Sequence, residues 1–257
     1  MTTDSGVDLV VEDRLARLTL RNPSARNALS GPMMDDLEAA YARLRGQSDV
    51  RAVLVRGEGE HFCAGADINL LASIEGIADA RRYLERWRRV YEGLARLPQP
   101  TVCAARGYVL GAGVELCLAA DLVVAAEEAT LALPEVRLGA VPGYAMIRLA
   151  ASVGRARAMD LMATGRRLTG GEAERWGLVS RVVPDAELDE ASEELARRLA
   201  DGAPLAIGTI KRTLARADAE ADWEAFVTGA AANLTSGDAG RGTRAFLDKE
   251  RPAFEGD

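Results

Sequence analysis

Thr101-Val102-Cys103-Ala104-Ala105, followed after Arg106 by Gly107-Tyr108-Val109-Leu110-Gly111-Ala112-Gly113-Val114-Glu115, is the stretch on which the fold turns. It reads as a strand, a glycine-bounded turn over Gly107–Gly111, and a helix over Gly111–Ala119 opened by three small residues. Leu122 to Ala126 is again strand-like. Working back, Ile77 to Leu97 has helical period with arginines on its outer face, and Pro98 and Pro100 end it. Ala52 to Arg56 reads as a short buried strand. Ser30 with Pro32 starts a helix through about Leu44, where proline in the first turn forfeits no hydrogen bond. Leu15 to Leu20 alternates as a strand. Strand, helix, strand, helix, strand is an α/β arrangement with crossovers.

From Gly143 onward the character changes. Arg155–Thr164, Gly171–Trp176, Asp185–Asp201 and Pro204–Ala215 are helical in period, and Val179–Val183 is the one strong strand expected there. A helical tail of this size cannot bury its own faces, so it is expected to pack on the α/β core or on a neighbouring subunit.

Composition narrows the function classes. Apolar residues make up 48% of 257 while aromatics make up 5%, so the core must be built mainly from Ala, Leu and Val. A formal charge of −7 argues against a nucleic-acid partner. Cys63, Cys103 and Cys117 lack regular spacing and read as buried, reduced thiols. His61 is the lone histidine, and no metal-ligand motif accompanies it, so no metal is expected. Met1 to Val10 is not a signal peptide, and no apolar run approaches the ~20 residues of a spanning helix. These features predict a cytoplasmic protein with no membrane contact.

Three segments carry candidate chemistry. His61-Phe62-Cys63-Ala64-Gly65-Ala66-Asp67-Ile68 follows a strand and is rich in small residues. It is either a loop whose N–H groups face a ligand or a plain tight connection. The helix start at Gly111-Ala112-Gly113 presents unpaired N–H donors and a positive dipole end, suited to a developing oxyanion. A phosphate site fits less well, because the GxGxxG spacing is absent. Glu115, set among Val114, Leu116 and Cys117, should have a raised pKa suited to acid–base work. Alternatively it is a first-turn glutamate favoured by the helix dipole. Glu135 follows Pro134 among apolar neighbours, with an ion pair to Arg137 as the other reading. Together, two glutamates in apolar settings near two N–H pockets make a candidate site.

Taken in order, these motifs resemble the crotonase superfamily, the enoyl-CoA hydratase/isomerase family, from about Leu9 to Phe254. The anchors are Asn22-Pro23 with Asn27-Ala28-Leu29, Phe62 to Ile68, Gly107-Tyr108 with Gly111 to Leu116, Asp121, Pro134-Glu135 with Leu138-Gly139, and Pro142-Gly143. Thr164-Gly165-Arg166, Ala173 to Val179 and the closing run Ala245 to Phe254 also match. The resemblance implies a spiral of β-β-α turns over residues 1–200 and a helical trimerisation region over 201–257, with trimers commonly paired as hexamers. It implies an enoyl-CoA substrate and no separate cofactor, coenzyme A being part of the substrate. Ala66 and Ala112 would form the oxyanion hole, alanine standing at 112 where the family usually has glycine. Glu115 would activate water and Glu135 would protonate the α-carbon. Arg26, Ala28, Ala64, Asp67, Ile68, Tyr108, Leu110, Gly111, Pro134, Leu138 and Tyr144 would contact the substrate, with Phe246 and Lys249 toward the adenosine end. An isomerase, or a hydrolase or decarboxylase of a specialised acyl-CoA, is the alternative on the same fold, and an idle acyl-CoA-binding subunit is a third reading. After Pro142-Gly143 the family usually continues with small residues. Here Tyr144-Ala145-Met146-Ile147 follows and is one residue shorter, which predicts a different or narrower acyl pocket.

Overall fold

The structure, a computed structural model, describes residues 5–215, 227, 231, 232, 234–250 and 252. Two sheets share the strands. The larger runs β1 (Gly6–Glu12), β2 (Leu15–Arg21), β3 (Ala52–Gly57), β4 (Thr101–Ala105), β6 (Leu122–Ala126), β9 (Arg181–Val183) in spatial order. Its first pair is antiparallel and the rest are parallel. The smaller is β5 (Tyr108–Leu110), β7 (Thr130–Ala132), β8 (Arg167–Thr169), with β5 and β7 parallel. The chain crosses from β4 to β5 and then enters α4 (Ala112–Ala119). It repeats the step from β6 to β7, a 3-10 turn at Glu135–Leu138, and α5 (Gly143–Val153). Two strands in different sheets and then a helix is the spiral β-β-α turn.

Among the described residues the remaining α-helices are α1 (Gly31–Arg45), α2 (Ile68–Ala72), α3 (Ile77–Ala95), α6 (Arg155–Thr164), α7 (Gly170–Trp176), α8 (Leu188–Ala200), α9 (Pro204–Ala215) and α10 (Gly237–Asp248). Ser30 caps α1 by accepting from Met33 N–H, and Thr169 with Glu172 forms a capping box on α7. Leu18, Val53, Val55, Val102 and Val124 are fully buried in the central parallel strands. Helix α8 lies across β3, β4 and β6. All three cysteines are free and buried.

Several expectations are corrected. Tyr108–Leu110 is a strand rather than part of a turn, and β7 and β8 exist where no strand was expected. Three residues are too few for alternation to show, and pairing between sheets supplies their order. β1 was also unread. It is an edge strand with no fully buried residue, joined to β2 by Asp13 and Arg14, both at positive φ (49° and 64°). That is the two-residue hairpin geometry, reached without the Asn-Gly signal that announces it. Gly143–Val153 is a helix.

Of the closing run Ala245 to Phe254, Arg251, Ala253 and Phe254 lie outside the described residues, as do 1–4 at the N-terminus and 216–226 in the helical tail. Helix α10 packs on its own chain, against the Glu135–Leu138 turn and α2. Lys211 on α9 donates to Asp121 Oδ2 (2.7 Å) and to the Gln99 carbonyl (2.9 Å), fastening the tail to the entrance of β4.

Candidate active site

Three backbone segments are knitted together to make the donor pocket. Asn27 is fully buried in a left-handed conformation (φ 56°). Its side chain accepts from Asn22 N–H (2.8 Å) and donates to the carbonyls of Glu58 (2.9 Å) and His61 (2.7 Å). This clamp sets Arg26–Leu29 beside the Cys63–Asp67 loop. Leu29 N–H donates to Gly65 O (2.8 Å), and Asp67 N–H returns to Leu29 O (3.0 Å). On the other side Cys63 N–H donates to Tyr108 O (3.1 Å) and Leu110 N–H to Cys63 O (2.9 Å). A Cβ on Gly113 would lie 2.5 Å from the Cys63 carbonyl oxygen, so only glycine lets α4 come this close to the loop. Among the described residues, the N–H groups of Ala66 and Ala112 find no acceptor within the protein. His61 stacks on Tyr108 (4.8 Å) and accepts from its N–H through Nδ1 (3.2 Å), a scaffolding role.

Glu115 is buried one turn into α4. Its Oε1 accepts from the N–H groups of Tyr144 (2.7 Å) and Ala145 (3.1 Å), and its Oε2 from the Tyr91 hydroxyl (2.7 Å). Helix α5 begins after Pro142, which has no side-chain acceptor to offer. The Glu115 carboxylate therefore caps that helix from across the fold, and the helix in turn turns its positive end toward the anion. Burial raises the Glu115 pKa above its ordinary 4.5, and these three donors work against the rise.

Glu135 opens the 3-10 turn as a half-buried residue. Its Oε2 is shut off from solvent with no hydrogen-bond partner among the described residues. Burial, and then repulsion from Glu115, pushes its pKa up to about 8. The ion pair with Arg137 does not form: Arg137 Nη2 donates to Gly165 O (2.9 Å) and faces away. Gly111 has φ 51°, and a Cβ there would lie 2.6 Å from Glu135 Oε1, so the second carboxyl sits directly over the turn that carries the Ala112 donor.

Both glutamates and both free N–H residues line one cleft of about 700 Å³. Arg26, Ala28, Ala64, Asp67, Ile68, Tyr108, Leu110, Gly111, Pro134, Leu138, Tyr144 and Phe246 line it as well. Lys249, at the left-handed C-cap of α10, does not. Of the Tyr144–Ile147 segment, Tyr144 faces the cleft, whereas Met146 is 48% exposed and outside it. Among the described residues no group of three His, Cys, Asp or Glu side chains is arranged to hold a metal.

Sequence reading missed Tyr91, among the described residues the one side-chain hydrogen-bond partner of Glu115. The available signal was Tyr83, Trp87 and Tyr91 at four-residue spacing on α3, a pattern that a buried helix face produces equally well.

The enoyl-CoA hydratase/isomerase family model matches residues 11–257. A Bacillus subtilis (strain 168) protein named "Probable enoyl-CoA hydratase" is 35% identical, covering 98% of this chain and all of that one. The crystal structure of carnitinyl-CoA hydratase from Mycobacterium avium superposes with a TM-score of 0.87 at 32% identity, over 99% of this chain and 100% of the other. A methylmalonyl-CoA decarboxylase in complex with 2-nitronate-propionyl-CoA has the same TM-score at 28% identity, with 98% of each chain covered.

Proposed function

Because the chain belongs to the enoyl-CoA hydratase/isomerase family, we propose that it adds water syn across the 2,3 double bond of an enoyl-CoA thioester. The observation that carries this reading is the asymmetry of the two carboxyls beside two free backbone donors. Glu115 has three donors that favour its anion, and its charge is one cause of the raised pKa of Glu135. Glu115 is therefore the base that takes a proton from water attacking the β-carbon. Glu135, with an unpartnered oxygen and a pKa of about 8, holds the proton that the α-carbon receives.

The thioester oxygen gains negative charge as water adds. The N–H groups of Ala66 and Ala112 receive it, each donor being worth ~3 kcal/mol in such sites. The cleft residues around Arg26 and Phe246 hold the coenzyme A portion, which arrives and leaves with the substrate, and no further cofactor enters the scheme.

A trimer, alone or paired as a hexamer, belongs to the same proposal, with the helices after residue 200 as its contact region. Leu205 and Leu214 on α9 are 84% and 73% exposed, apolar surface that a neighbouring subunit would cover. Cytoplasmic residence fits the bacterial relative and the three unpaired thiols, and no helix among the described residues is long and apolar enough to cross a membrane. The test is mass spectrometry on 2-enoyl-, 3-enoyl- and malonyl-type CoA thioesters. Hydration of the 2-enoyl thioester adds one water, isomerisation leaves the mass unchanged, and decarboxylation removes carbon dioxide. Glu115→Gln and Glu135→Gln should each lower hydration about 10²–10⁴-fold; full activity in both variants refutes the assignment.

A further inference from the structure

The Glu115 end of the cleft is built from aromatic rings, in a chain that has few of them. With three tryptophans and five tyrosines in 257 residues, Tyr83, Trp87, Tyr91 and Tyr144 nonetheless converge on one wall. Tyr83 meets Trp87 edge-on (6.0 Å, 75°), and Trp87 stacks with Tyr91 (5.5 Å, 18°). Tyr91 in turn lies close to Tyr144 (5.1 Å, 34°). Leu71, Leu84, Val141 and Leu234 bound the same end.

We propose that this wall selects a planar aromatic acyl group, an aryl-substituted enoyl thioester, over a saturated alkyl chain or a quaternary ammonium acyl group. The inference rests on the thioester reading above and names the substrate class within it.

Ring quadrupoles carry the argument. Trp87 and Tyr91 spend ring faces on one another and on Tyr144, and the Arg148 guanidinium stands over the Tyr144 ring at 5.6 Å. A quaternary ammonium group needs open ring faces around it. Here faces are occupied, and Arg148 adds a like charge. What a stacked ladder leaves for a ligand is ring edges, which are electropositive and pair with the face of another aromatic ring. Trp87 is 6% exposed and lines the cleft, so its ring, and not its buried Nε1, is what meets a ligand. An alkyl chain gains apolar contact with these rings and with Leu71, Val141 and Leu234, but no edge-to-face pairing.

Calorimetric titration of the full chain with non-reacting thioesters tests this without requiring turnover. The probes are 3-phenylpropanoyl-CoA, hexanoyl-CoA and 4-(trimethylammonio)butanoyl-CoA. The phenyl thioester should bind on the order of tenfold more tightly than the other two, the size of one to two aromatic pairs. Trp87→Leu should abolish that margin while leaving hexanoyl-CoA within about threefold of its original affinity. If Trp87→Leu does not fold, by circular dichroism, Tyr83→Leu carries the same expectation. Equal or weaker binding of the phenyl thioester, preference for the ammonium thioester, or a margin that survives the substitution overturns the inference alone. Failure of all three thioesters to bind overturns the acyl-CoA reading with it.

Discussion

Tyr91→Phe removes one oxygen atom and isolates the contribution of a single hydrogen bond to the Glu115 anion. The ring remains between Trp87 and Tyr144, so packing at this 2% exposed position is retained. What is lost is the 2.7 Å donor to Glu115 Oε2. A hydrogen bond to a charged group contributes about 1.5–3 kcal/mol. Its loss disfavours ionised Glu115, so the pKa, already raised by burial, moves further up. On the acid limb, below the pKa of parent and variant alike, a smaller fraction of the enzyme then holds the required base, and kcat/KM falls by about 10- to 100-fold. The deficit should shrink as pH rises, because the base then ionises in the variant too. The assay is hydration of a 2-enoyl-CoA followed from pH 5.5 to 9.5 for parent and variant. Two results refute the reasoning: an acid limb that does not move, or a loss of equal size at every pH, which would mean Tyr91 acts through packing and not through the charge on Glu115.

Other outcomes follow from the same geometry. The folded pKa of Glu135 is about 8 against an ordinary 4.5. Between those values the folded state holds more protons than the unfolded chain, so this group's contribution is most favourable below 4.5 and is lost as pH rises to about 8. Glu135→Gln cannot ionise, and its stability relative to the parent should increase by up to a few kcal/mol from about pH 5 to 8 in urea titrations; a pH-independent difference contradicts this. Gly111→Ala places a methyl group 2.6 Å from Glu135 Oε1 at a residue with φ 51°. It should cost about 1–3 kcal/mol of stability and displace the second carboxyl, with kcat reduced more than affinity for a saturated thioester. Lys211→Met leaves Asp121 Oδ2, among the described residues, with only its Thr101 partners (2.7 and 2.9 Å) and should lower unfolding free energy by about 1–3 kcal/mol.

Much of this protein was legible in one dimension. Long periodic helices such as α1 and α3 and the apolar strands β3, β4 and β6 carry their own signals, because each buries one face or both along a continuous stretch. The ordered small-residue motifs around Ala66, Ala112, Glu115 and Glu135 marked the cleft, since close backbone approach demands such residues wherever it occurs. The short strands β5, β7 and β8 did not show, because three residues have no period and owe their conformation to partners far away in sequence.

The state of the two glutamates likewise belongs to the tertiary structure. Locally, Glu115 and Glu135 are both carboxylates among apolar neighbours, and their flanks do not show which of them gains hydrogen-bond donors. Folding brings the Tyr91 hydroxyl and the first turn of α5 to Glu115 and, among the described residues, no partner to Glu135 Oε2. The Tyr144–Ile147 segment, which in sequence looked only like bulk intruding on the acyl pocket, also supplies two N–H groups to a carboxylate some thirty residues earlier. Sequence pointed to most of the residues that line the cleft, but not to Tyr83, Trp87 or Tyr91. Which of the two carboxyls receives three hydrogen-bond donors was decided by contacts between residues that only the completed fold places side by side.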